Sequence, residues 1–179
     1  MSQTIFIESQ EKWLRVGVIL LVGALLAACP VPVTAATGDQ VLEWNAIMND
    51  TVLAGGTSPL ATTRVVALVS ASVFDAVNGI NPQFKSIHVR PNAPVNASRR
   101  AAAIQASYAM LIKLYPAQTE SLTAKRDASI AALTQSAKSI QAGVAWGQFV
   151  ADKIWAWRLT DGFAPAPPPF VVGVVKDDK

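Results

Sequence analysis

The chain has 179 residues; 51% are hydrophobic, 15% are charged, and the net charge is +3. Its single histidine excludes a multi-histidine metal site, and its single cysteine excludes an internal disulfide or a thiolate cage. The basic residues are scattered, with Arg99-Arg100 the only cationic doublet before residue 125, which argues against a nucleic-acid-binding face.

Residues 1–35 read as an export signal, so fold reasoning starts after them. Lys12 and Arg15 precede VGVILLVGALLAA (16–28), an uninterrupted apolar run. As a helix this run rises about 20 Å, short of the roughly 30 Å of a bilayer core. CPVPVTA, ending at Ala35, offers small residues of the kind a signal peptidase reads. LLAAC, ending at Cys29, also resembles a bacterial lipoprotein box, in which the cysteine is lipidated. Cleavage near Ala35 is the favoured reading, with lipidation at Cys29 as the alternative. Either one places the protein outside the cytoplasm, in the periplasm or beyond.

The next 128 residues, 36–163, read as one helical domain with a core of its own. GDQVLEWNAIMNDTVLAGG (38–56) spaces Val41, Trp44, Ile47 and Met48 as a helix does, with Asp39 as its cap and Gly55-Gly56 as its stop. Pro59 suits the first turn of a second helix, PLATTRVVALVSASVFDAVNGI, with Asn78-Gly79 setting its exit. Its five valines weaken helix propensity, so packing has to hold it. The helix carries just two charges, Arg64 and Asp75. They lie three turns apart, about 16 Å, which puts them on one side without pairing them. Each is expected to anchor some other part of the fold, because an unpaired buried charge is expensive.

Residues 80–98 carry three prolines and read as a crossing loop long enough to imply that something packs against it. His88 lies here and is expected to be structural or exposed. ASRRAAAIQASYAMLIKLYP (97–116) is a strong helix with Ser98 as cap and Ile104, Tyr108, Leu111 and Tyr115 as its stripe of larger residues. A helix over 117–133 follows at once and makes a helical hairpin with it. Ser139 is expected to cap a last long helix, with Trp146, Val150, Lys153 and Trp157 along one side and Asp161-Gly162 as the stop.

Residues 164–179 change character. APAPPP favours an extended path, FVVGVV is apolar with no obvious partner, and KDDK closes the sequence. This segment reads as a Pro-rich linker followed by an interrupted tail. Nothing in the chain matches a dinucleotide fingerprint, a P-loop, a zinc-protease helix or a nucleophile elbow. No catalytic, cofactor-binding or metal-ligating residue is therefore assigned.

Four stretches in order, VLEWNAIMNDTVLA, PLATTRVVALVSASVFDAVNGI, ASRRAAAIQASYAMLIKLYP and ADKIWAWRLTDGF, resemble the N-terminal helical portion of bacterial vanadium-dependent haloperoxidase-like proteins. These belong to the type 2 phosphatidic-acid phosphatase superfamily. The resemblance covers residues 39 to about 175, with R-x10-D-A-V-N-G-I its most specific phrase. It implies an all-α helical bundle, here cut to its N-terminal half. Intact relatives hold vanadate or phosphate with lysine, arginines, a Ser-Gly-His segment and a final histidine, and they oxidise halide with peroxide or hydrolyse phosphoesters. Those segments have no counterpart in this sequence, and Arg64, His88, Arg99 and Arg100 sit in different motifs.

The chain is accordingly expected to be inactive by itself, with no cofactor of its own and vanadate expected only in intact relatives. Its expected partners are the missing catalytic half or a second copy, and no nucleic acid. A membrane enters only during export or through a lipid on Cys29. The alternative is an exported scaffold domain that binds another protein through Trp155, Phe163 and Phe170.

Overall fold

The computed structural model describes residues 39–163, and these form an α-helical bundle with no β-strand among them. The expected export signal and the 164–179 tail lie outside the described residues. The helices are α1 (Gln40–Ala54), α2 (Pro59–Ile80), α3 (Arg99–Leu114), α4 (Thr119–Ala131) and α5 (Ala137–Arg158), with one 3-10 turn (Pro116–Gln118) between α3 and α4.

The local signals act largely where the sequence puts them. Asp39 accepts the Val41 amide to cap α1, and Ser58 accepts the Ala61 amide with Pro59 in the first turn of α2. Ser98 does the same for α3 through Ala101. Gly56 takes a positive φ of 60° just past α1, a conformation that costs glycine little.

α5 begins three residues earlier than expected. Ser136, not Ser139, is its cap and accepts the Ser139 amide. Ser139 sits inside the first turn, where its hydroxyl donates to the Asn96 carbonyl (2.7 Å) and its own carbonyl accepts the Ser98 amide (2.9 Å). A polar side chain there competes for a tertiary partner as well as for the cap, and the partner on the neighbouring loop decides the outcome.

α3 is the axis of the bundle. Every residue from 101 to 111 is buried, and the helix packs against α1, α2, α4 and α5. The expected stripe of large residues is therefore only part of its contact surface; its alanines are contact surface too. A helix surrounded on all sides can carry small apolar residues all round. Small residues also let α5 come close. A side chain at Gly143 would run into the Ser98 carbonyl, and one at Gly147 into the Ala102 carbonyl. α5 consequently buries Gly143, Trp146, Gly147, Val150, Ala151 and Ile154. Lys153 and Trp157, expected on the same face as Trp146 and Val150, are exposed instead, since the contact with α3 follows the glycines.

Gly79 is likewise a contact and not a stop. α2 runs on to Ile80, and a Cβ at Gly79 would meet the Trp146 ring at 2.5 Å. Trp146 Nε1 donates to the Ala76 carbonyl at 2.9 Å, so the indole packs against α2 with its one donor satisfied.

Candidate functional site

The two charges of α2 hold two different parts of the chain. Asp75 is fully buried, with 0% exposure. Its carboxylate accepts the backbone amides of Ile87, His88 and Val89, each at 2.8 Å. Three N–H donors on one anion are the compensation that a buried carboxylate requires. One turn further on, Asn78 accepts the amides of Gln83 and Phe84 and donates to the Phe84 carbonyl. Two side chains of α2 thus fix the backbone of the long proline-punctuated loop, which explains how a segment without secondary structure keeps its place.

Arg64 holds the other end. Its guanidinium donates to Asp161 at 2.5 Å and to the Arg158 carbonyl at 3.3 Å, and it lies 4.5 Å above the centre of the Phe163 ring. Asp161 also receives Arg158 at 3.1 Å and the Phe163 amide at 3.1 Å. Desolvation alone would push the Asp161 carboxyl up. The Phe163 amide and the charges of Arg64 and Arg158 outweigh it and hold the group below the usual carboxylate value. The expected stop after α5 is thereby fastened to the start of α2.

Three clefts lie around these anchors. The first, about 460 Å³, runs between α1, α2 and the loop, and its walls include Val41, Val73, Phe74, Val77 and Phe84 with Arg99 at its edge. The second, about 610 Å³, lies between α2 and the end of α5 and contains Arg64, Ala67, Ile87, Trp157 and Phe163. The third, about 310 Å³, has His88, Arg90 and Lys153 in its lining. His88 is exposed, and its ring stacks on Trp157 with centroids 4.4 Å apart and planes 6° from parallel.

Arg64, His88 and Arg99 therefore line three separate clefts, while Arg100 is half-buried on α3. A compact oxyanion needs donors that converge on one point, and these do not. Among the described residues no group of three His, Cys, Asp or Glu side chains is placed to hold a metal ion.

Arg64 and Asp75 act as the anchors that their expense in an apolar helix implied. The clefts were missed by sequence reading, because each is assembled from at least two segments that are distant in the chain. One signal was available in the composition of α2, which is too apolar for a helix with one face in water. No family model, curated protein or solved structure matches the chain.

Proposed function

We propose that the chain is the N-terminal helical part of a vanadium-dependent haloperoxidase-like protein, exported from the cytoplasm and inactive without its catalytic half. The observation that supports this reading is the role of the phrase on which the resemblance chiefly rests. In R-x10-D-A-V-N-G-I, Arg64 ties down the end of α5, Asp75 and Asn78 clamp the loop, and Gly79 makes room for Trp146. A phrase used for scaffolding is what relatives with different chemistry can keep in common.

Vanadate is assigned to intact relatives and not to this chain, because the Ser-Gly-His segment and final histidine that hold it there have no counterpart in this sequence. The partner is the missing catalytic half or a second copy. Contact with a membrane is confined to export, or to a lipid on Cys29.

A second reading, an exported domain that binds another protein, draws support from one end of the bundle. Phe163, one of the three residues expected to make that contact, stands 46% exposed there, near Trp157, which is 43% exposed. Of the other two residues expected to make that contact, Trp155 packs partly against the core, and Phe170 lies outside the described residues.

The test is to sequence the DNA downstream of codon 179 and to express any polypeptide carrying Ser-Gly-His and a final histidine together with this chain. The expected result is a stable complex that binds vanadate and oxidises bromide with peroxide, while the chain alone does neither. A chain that binds vanadate tightly and oxidises bromide unaided would overturn its assignment as inactive. The absence of any such downstream segment would favour the protein-binding reading.

A further inference from the structure

The groove at Phe74, between α1, α2 and the loop after α2, has the anatomy of a small-molecule site. Val73 is buried in its lining, Phe74 and Val77 are half-buried, and Val41 and Phe84 are exposed. Its volume of about 460 Å³ falls within the roughly 300–1,000 Å³ of such sites. Phe84 is 67% exposed, although Asn78 clamps its backbone amide and carbonyl. The clamp holds an apolar ring in water at the edge of an apolar groove. Around the apolar part stand the exposed side chains of Asn45, Ser70, Asn81 and Gln83, which form no hydrogen bond within the described residues.

The charge of the groove is one-sided. Arg99 belongs to its lining and no carboxylate does. Arg99 is exposed, and among the described residues it forms no ion pair. Nor does its position serve α3. Arg99 and Arg100 are the first two residues of that helix, with no acidic residue in the first turn, and cations at this end oppose the helix dipole. A guanidinium held against the dipole, beside an apolar groove and without a carboxylate, is arranged for an anion from outside the chain.

We propose that the groove at Phe74 binds a medium-chain fatty acid, with its hydrocarbon body along the valines and phenylalanines and its carboxylate at Arg99. The walls select an aliphatic body. The Phe74 and Phe84 rings lie 6.2 Å apart with planes 40° from parallel, so they form no slot for a flat ring. Together with Val41, Val73 and Val77 they give an uneven apolar wall that a flexible chain can follow. Burial of that chain supplies the attraction, and the charged hydrogen bonds of Arg99 to the carboxylate supply the preference for an acid. The inference is independent of the haloperoxidase-like reading, and its test involves neither vanadate, peroxide nor a catalytic half.

Isothermal titration calorimetry of the exported chain with octanoate tests it, with octanol as the uncharged body of the same length. The expected result is saturable binding of octanoate, about tenfold or more tighter than octanol, the margin that a charged hydrogen bond supplies. Arg99→Gln should remove that margin and leave octanol binding unchanged. Phe84→Ala should weaken both ligands, and Arg90→Gln, in the separate cleft beside His88, should change neither. All three side chains are exposed, so the core stays intact in each variant, which an unchanged circular dichroism spectrum checks. Octanoate that does not saturate the protein, or equal binding of acid and alcohol, would overturn the proposal. So would an Arg99→Gln variant that keeps its full preference for the acid, or binding that Phe84→Ala leaves unchanged.

Discussion

Asp75 carries a charge into the most apolar helix of the protein, and its value lies in what that charge fixes. The carboxylate receives three consecutive loop amides and has no exposure to water. Replacing it by an amide keeps the volume but points an N–H₂ group at N–H donors. Asp75→Asn is therefore expected to lower stability by about 3 kcal/mol, the cost of breaking a buried charged hydrogen-bond set on one side only. Urea unfolding measures the loss, and limited proteolysis should show cleavage moving into residues 81–97. Unchanged stability would mean that the loop is held by something other than this clamp. The sequence pointed to Asp75 through its cost alone, since nothing local says which amides it will meet 12 to 14 positions later.

The starts of α1, α2 and α3 follow from local chemistry, whereas the start of α5 and the helix faces do not. The caps Asp39 and Ser98 and the early proline of α2 each act within one turn and were legible in the sequence; the Ser58 cap acts as locally but was not read from it. The buried face of α5 was not, because it is chosen by the backbone of α3. Gly143 and Gly147 touch the carbonyls of Ser98 and Ala102, a closeness that only the pairing of the two helices creates. Gly147→Ala tests this. The substitution gains about 1 kcal/mol of helix propensity, whereas overpacking against backbone costs about 1–3 kcal/mol and brings strain with it. The net expectation is a less stable protein, read as a lower thermal midpoint. A rise in that midpoint would show that α5 and α3 can move apart without loss.

At the scale of the molecule, one buried helix holds the others together. α3 packs against α1, α2, α4 and α5, so no helix pair can leave without exposing it. Residues 36–179 are therefore expected to unfold in a single two-state transition by both tryptophan fluorescence and far-ultraviolet circular dichroism. Separate midpoints for the two probes would contradict the single core. Composition and periodicity by themselves determined that the described chain is all helical, where α1, α2 and α3 start to within a residue or two, and that Arg64 and Asp75 must each find a partner. These are properties of one turn or one side chain, and the chain carries them wherever it goes. Only the tertiary structure decided which partners they found, which face of α5 is buried, and that Arg99 stands beside an apolar groove. The physical reason is distance along the chain. Arg64 and Asp161 are 97 positions apart, and the groove at Phe74 is assembled from α1, α2 and the loop after it, so neither exists until the bundle has closed.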